Sequence, residues 1–333
     1  MSDPSDPIES ASDGSMDLYD VATWEPRTLL DRVVVSGYWS ITVGAKAFVI
    51  LIALSILAGI GAIGAFGDPI VRILTILSAV PAAAIAGYVW YSDATTTEPL
   101  SLLVATFLLA VLTATFAAVL NSAVTGAFGP FNAIGQVGFF FLVVGPVEET
   151  VKLLAVRLYA YTDARFDAVI DGAVYGAVAG LGFATIENLL YISRSVDAVD
   201  MGISLAILGA GDGIAAVRAF AGPGHVIYSS FAGYYLGLAK FNPDHRGPLV
   251  VKGILIAALI HATYNSTVGL GAGIIGAVTG LGSLPSFVVY VLVFDGIFGF
   301  ILLRKIWRYR ETYRTVFAEI DDDADPELTE FEE

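Results

Sequence analysis

Hydrophobic residues in this chain gather into long continuous runs rather than alternating with polar ones. Eight runs stand out, at 47–66, 73–90, 100–120, 137–159, 168–192, 223–239, 249–268 and 284–303. Each is close to the roughly 20 residues a helix needs to cross the hydrocarbon core of a bilayer. Continuous runs fit helices, which satisfy their backbone groups internally, whereas a membrane barrel would show strict alternation. The pattern predicts an all-α, polytopic transmembrane helical bundle of about eight spans. The stretch 201–217 is apolar but broken by Gly209, Gly211, Asp212 and Gly213. It reads as a re-entrant or interfacial segment between spans five and six.

Composition sharpens this picture. Of 333 residues, 56% are hydrophobic and 15% charged, against about 25% charged in a soluble domain. A charged shell around a soluble core is therefore excluded. The net charge of −15 comes from the ends: eight of the 32 acids lie between Asp3 and Asp31, and ten between Glu311 and Glu333. Three regions follow. Residues 1–40 form an acidic tail, expected to be disordered and cytoplasmic. Residues 41–303 form the bundle, and 304–333 a basic juxtamembrane segment followed by an acidic cytoplasmic tail. The first region has no basic stretch leading into an apolar one, so it is not read as a signal peptide. With eight spans and both termini inside, thirteen basic residues fall in inside segments and three (Arg72, Arg194 and Arg218) outside, as the positive-inside rule requires. There is no cysteine, which excludes disulfides, thiol catalysis and cysteine metal sites. No net-basic patch points to nucleic acid.

The chemistry lies in the few charges left inside the spans, each costing roughly 2.5–3.5 kcal/mol to insert. Span four carries Gly145-Pro146-Val147-Glu148-Glu149-Thr150-Val151-Lys152. Two adjacent carboxylates at mid-span, with Lys152 one turn on, make a partly neutralised acid pair. Pro146 permits a local kink. In span five Gly172, Gly176 and Gly180 form a smooth stripe for close helix contact, and Phe183, Glu187 and Tyr191 continue its register. Asp171, at the inner end, reads as a helix cap. Span six opens on Gly222-Pro223-Gly224-His225, and span seven holds His261 and Asn265 on one face. His245 falls in a loop and is expected to face solvent. Asp295, in span eight, has no partner in sequence. Three carboxylates (Glu148, Glu149 and Glu187), the imidazoles of His225 and His261 and the Asn265 amide can therefore line one water-filled cavity that opens outward. A desolvated Glu suits a general base, His can serve the leaving group, and Asn can donate to an oxyanion. His and Glu are also zinc ligands, although no HExxH run is present.

Glu148-Glu149-x-x-Lys152, Phe183-x-x-x-Glu187-Asn188, His225 and His261-x-x-x-Asn265 resemble the ordered motifs of the PrsW family of intramembrane proteases. They are similar in layout to those of CAAX-type and bacteriocin-processing membrane proteases. The resemblance covers 136–267 and departs from the CAAX-type pattern at Glu187, where those relatives carry His. It implies cleavage of membrane-anchored substrates such as anti-sigma factors. Carried over residue by residue, it makes Glu148 the water-activating base and Glu149 its partner. His225 and His261 become groups that orient water or stabilise the intermediate, Asn265 the oxyanion donor, and Lys152, Glu187 and Asn188 supports. A divalent metal such as zinc is an open possibility, with His225, His261 and Glu149 as the ligands on offer. Two other classes remain at this stage: a proton-coupled transporter using the buried Glu/His cluster, and a membrane scaffold presenting its tails.

Overall fold

The computed structural model describes residues 6–93, 95, 98–196 and 210–323. The chain divides into a unit Met1–Ile52 and a larger unit Ala53–Glu333.

In the first unit a short helix, α1 (Pro7–Ala11), precedes a turn, and α2 (Leu29–Gly59) begins here and runs into the second unit. Residues 29–40, expected to belong to a disordered tail, are helical. The reason is a reciprocal cap: Thr28 N donates to Asp31 Oδ2 at 2.7 Å while Asp31 N donates to Thr28 Oγ1 at 3.1 Å, which satisfies two otherwise orphaned donors.

The second unit continues with the short α3 (Ala62–Gly67), then α4 (Pro69–Tyr91) and α5 (Leu100–Phe128). Asp68 starts α4 by accepting from Ile70 N and Val71 N, and Pro69 follows it, where its missing N–H costs nothing. Next come α6 (Asn132–Phe139), a π-helical turn (Phe140–Val144) and α7 (Gly145–Leu158), which together occupy the fourth predicted span. The bundle closes with α8 (Val169–Ser195), α9 (Ala210–Phe241), α10 (Arg246–Thr279) and α11 (Ser283–Asp323). Asp171 caps α8 as expected, its Oδ2 accepting from Asp167 N and Ala168 N. His245 is exposed, also as expected.

Six described helical stretches are long and apolar enough to cross a membrane: Leu29–Gly59, Pro69–Tyr91, Leu100–Thr162, Val169–Ser195, Pro243–Thr279 and Ser283–Phe317. The 63-residue stretch Leu100–Thr162 holds two of the eight predicted spans, folded so that α5 packs on α7. The remaining predicted span, 223–239, lies in α9. That helix packs against α4, α8, α10 and α11, so protein rather than lipid surrounds its serines and His225. The protein is an all-α, multi-pass membrane protein. Residues 197–209 lie outside the described residues, so most of the expected re-entrant segment does too. Its described end, 210–217, is the start of α9, which begins well before the predicted 223.

The closest helix pair is α8 with α9. A β-carbon on Gly172 would collide with the Gly233 carbonyl oxygen, one on Gly176 with that of Ser229, and one on Gly180 with that of His225. The glycine stripe thus lets two backbones touch, and it carries the face of α8 bearing Glu187 up against the start of the His225 turn.

Candidate active site

Pro146 lacks an N–H, so the Leu142 carbonyl four residues back has no helical partner. The chain answers with the π turn Phe140–Val144, a local widening often found at functional sites. Immediately after it, Gly145 lies against the backbone of α10, where an added β-carbon would sit 2.6 Å from the Ala258 carbonyl oxygen. This close approach brings Glu148 and Glu149, one turn on from Gly145, to His261, one turn on from Ala258.

Glu149 and Lys152 are wholly buried, their side chains 0% exposed. Lys152 Nζ donates to Glu149 Oε1 at 2.6 Å and meets His225 Nδ1 at 2.9 Å, and it also lies 4.3 Å from the Phe183 ring centre. Lys152 therefore serves Glu149 and His225, whereas the sequence had it neutralising the Glu148–Glu149 pair together. Glu149 Oε1 also takes His261 Nδ1 at 2.8 Å, and Ser229 Oγ reaches Oε2 at 3.4 Å. A carboxylate only accepts, so the His261 proton sits on Nδ1 and the Nε2 lone pair is free. A carboxylate behind an imidazole, setting its tautomer, is the arrangement of metal-ligating and catalytic histidines alike.

His225 has the opposite tautomer. An ammonium only donates, so His225 Nδ1 accepts from Lys152 and Nε2 carries the proton, directed at Glu187 Oε2 at 2.8 Å. Glu187 is held in turn by Arg218, whose Nη2 donates to the same oxygen at 2.6 Å while its Nε donates to Asn188 Oδ1 at 2.8 Å. Asn188 passes the chain on to Ser78 Oγ at 2.9 Å. Glu187 and Asn188 thus form an anchored shelf beneath His225.

Glu148 is the exception among these groups. Asn121 Nδ2 donates to its Oε1 at 3.0 Å, but Oε2 is buried with no hydrogen-bond partner and faces His261 Nε2 at 3.8 Å. A buried polar atom without a partner is rare enough to call for an explanation. Both groups line a cavity of about 320 Å³ with Glu187, His225, Arg218 and Asn265. The structure so gathers the sequence-chosen residues around one space, with Lys152, Glu149 and Asn188 behind them. Asn265 lines that space on α10, one turn on from His261. Beyond Asn121 and Glu148 lies a second cavity of about 230 Å³ between α5 and α8.

Sequence reasoning passed over Arg218, Asn121 and Ser78. Arg218 was counted only as an outside charge, Asn121 falls one residue past the run 100–120, and Ser78 is one of the hydroxyl side chains within the run 73–90. Asp295 finds its partner in Tyr228, whose hydroxyl donates to Oδ1 at 3.1 Å.

One oxygen of Glu148 and one nitrogen each of His225 and His261 lie within 4.8 Å of one another. Two imidazoles and a carboxylate are a zinc-type donor set. Glu148 Oε2 and His261 Nε2 are open for it, whereas His225 Nε2 would have to leave Glu187 and give up its proton, with Lys152 releasing Nδ1 to receive it. The residues fit a metal on this test. Glu149, offered as a ligand by the sequence, has its oxygens on Lys152, His261 and Ser229 instead.

An unpaired acid, two histidines and a cavity, all within a membrane bundle, are the kind of groups that an intramembrane protease needs. Residues 98–297 match the family described as PrsW family intramembrane metalloprotease, and the chain belongs to that family. Its relatives include the protease PrsW of Oceanobacillus iheyensis, 31% identical over 194 residues, which are 58% of this chain and 82% of that one. That of Geobacillus kaustophilus is 30% identical over 185 residues (56% and 75%). That of Bacillus subtilis is 34% identical over 136 (40% and 56%). No solved structure matches the chain. Family membership decides for the intramembrane protease over the transporter.

Proposed function

We propose that the cavity hydrolyses peptide bonds of membrane-anchored substrates with a water activated by Glu148. The observation that carries this reading is the buried, unpartnered Glu148 Oε2 facing the free Nε2 of His261 across 3.8 Å. Water held between these atoms gives its proton to Glu148 Oε2 while its oxygen attacks the scissile carbonyl. Charge developing on that carbonyl oxygen is met by the Asn265 amide on the cavity wall, beside His225, whose Nε2–H is held by Glu187. Glu148 then returns the proton to the leaving nitrogen, completing general base and general acid roles with one group. Glu149 keeps His261 in its working tautomer, Lys152 balances Glu149, and Arg218 holds Glu187 beneath His225.

A divalent metal, zinc by donor type, would be held by Glu148, His225 and His261. When bound it supplies Lewis-acid polarisation and a water of lowered pKa. A Glu148 committed to ligation is not a free base, so the two variants of the mechanism are separable by chelation.

The family resemblance supports a single-span, anti-sigma-factor-like substrate, and thirteen basic residues on the inner side against Arg72 and Arg194 outside, Arg218 being buried in α9, support cytoplasmic termini. Purified protein in detergent, incubated with a panel of single-span substrates with and without chelator, tests the proposal. Cleavage that chelator abolishes and zinc restores supports the metal-bound centre. Cleavage that persists supports Glu148 as the free base, and no cleavage of any single-span substrate contradicts the reading.

A further inference from the structure

At the end of α8 remote from Glu187, three acids meet that the proteolytic chemistry does not use. Asp93 and Glu98 come from the connection between α4 and α5, and Asp171 from the first turn of α8. One carboxylate oxygen of each lies within 4.8 Å of the others. The two aspartates each use one oxygen locally. Asp93 Oδ1 accepts from Thr95 N and Oγ1, both at 2.8 Å, and Asp171 Oδ2 accepts from Asp167 N and Ala168 N at 2.7 and 3.0 Å. Their other oxygens, Asp93 Oδ2 and Asp171 Oδ1, are buried with no hydrogen-bond partner. Glu98 is only 5% exposed, and neither of its oxygens has one.

An acidic cluster on a wet surface needs no partner. Here Glu98 and Asp171 are buried and Asp93 is half-buried, and a buried carboxylate is costly unless it is paired, takes up a proton or coordinates a metal. Among the described residues no salt bridge reaches any of the three. Lys240, at the nearby end of α9, directs its Nζ to the carbonyl oxygens of Tyr161 and Asp163 at 2.9 and 3.2 Å. What the cluster offers is a set of carboxyl oxygens converging from two chain segments; burial and the neighbouring Asp93 push the Glu98 carboxyl up to about 9, so a cation that binds there displaces a proton. All-oxygen, anionic donors select hard cations over zinc or copper. Calcium holds its ligands at about 2.3–2.6 Å, so oxygens on opposite sides of it lie up to about 5 Å apart; magnesium, at about 2.0–2.1 Å, asks for a tighter cluster.

We infer that Asp93, Glu98 and Asp171 form a divalent-cation site, calcium preferred over magnesium, which ties the α4–α5 connection to the N-terminus of α8. Asp171 and Glu187 are separated by about 24 Å of helix at 1.5 Å per residue, so the ion acts on the scaffold that carries Glu187 and Asn188 and not on the reacting atoms. The inference stands apart from the proteolytic mechanism and survives its failure.

Terbium, a luminescent stand-in for calcium, tests it on the full-length protein in detergent. Tyr175, one turn on from Asp171 with a buried, unpartnered hydroxyl, is placed to sensitise the ion. The expected result is a saturable terbium signal displaced by calcium more readily than by magnesium. Glu98→Gln should weaken that binding by more than about tenfold, while His261→Ala leaves it unchanged. A signal that does not saturate, that keeps its affinity in Glu98→Gln, or that disappears in His261→Ala overturns the inference. Should Glu98→Gln fail to fold, the calcium-dependent rise in unfolding temperature decides: present in the wild type and absent in Asp93→Asn supports the site, and no rise in the wild type contradicts it.

Discussion

His261 Nδ1 lies 2.8 Å from Glu149 Oε1, on the same oxygen that takes Lys152 Nζ at 2.6 Å. One fully buried carboxylate thereby fixes a histidine on α10 and, through Lys152, a second histidine on α9. The two neighbouring acids of α7 do different work because successive helix positions point about 100° apart: Glu149 faces into the packed interior and Glu148 faces the cavity. In the proposed mechanism Glu149 is a positioning residue and Glu148 the reacting one.

Glu149→Gln tests this division. An amide accepts at one atom only and cannot balance Lys152, so His261 loses its fixed tautomer. The expected loss in cleavage is about 10–100-fold, the usual range for the partner behind a working histidine. The fall should appear in kcat, with KM little changed. A KM effect alone would place Glu149 in substrate binding instead.

Arg218→Ala should destabilise the protein. Removal leaves Glu187 with His225 alone and Asn188 with Ser78 alone, and an unsatisfied buried group costs about 1–3 kcal/mol. Arg218→Lys should rescue little, because only a guanidinium reaches Glu187 and Asn188 from one planar fork. Thermal unfolding of the three proteins in detergent checks both statements.

Gly176→Ala should cost about 1–3 kcal/mol, the typical range for overpacking, because its methyl group meets the Ser229 carbonyl oxygen of α9. The helices must separate to admit it, and Ser229 lies one turn from His225. Lower stability with lower cleavage is expected from this one methyl. A variant as stable as wild type would show that α8 and α9 can part at no cost.

Tyr228 donates to Asp295 Oδ1 at 3.1 Å and its ring lies 5.5 Å from that of His261. Tyr228→Phe removes the only hydrogen bond Asp295 has among the described residues, and is expected to cost about 1–3 kcal/mol. Asp295→Asn keeps an acceptor for that hydroxyl and should be far better tolerated. Equal unfolding temperatures for the two variants would contradict this pairing.

Much of the fold was legible because a bilayer demands long apolar runs: six of the eight predicted runs fall in single described helices, while 47–66 is divided between α2 and α3 at Gly61 and 137–159 among α6, the π turn and α7. The glycine stripe was legible for a similar reason: its four-residue period keeps one face. The motif residues could be picked out since any charge at depth is conspicuous. What local pattern could not show was who pairs with whom. Asn121 reaches Glu148 across 27 positions, Arg218 reaches Glu187 across 31, and Glu149 reaches His261 across 112. Lys152 illustrates the limit: helical spacing allows it both Glu148 and Glu149, and only His225, 73 positions away, explains why it turns to Glu149. Arg218 was misread as a loop charge because the start of α9 is interrupted by glycines and Asp212, which hide a helix from a hydrophobic pattern.

The most direct measurement is single-turnover cleavage of a single-span substrate by Glu148→Gln, with folding verified by its unfolding temperature. Gln keeps the shape and an acceptor for Asn121 but cannot take a proton from water. The account predicts a rate lower by about 10²–10⁴-fold, the usual contribution of a general base, in a protein as stable as wild type or more so, since a buried charge has been removed. Cleavage at the wild-type rate by a folded Glu148→Gln would contradict it.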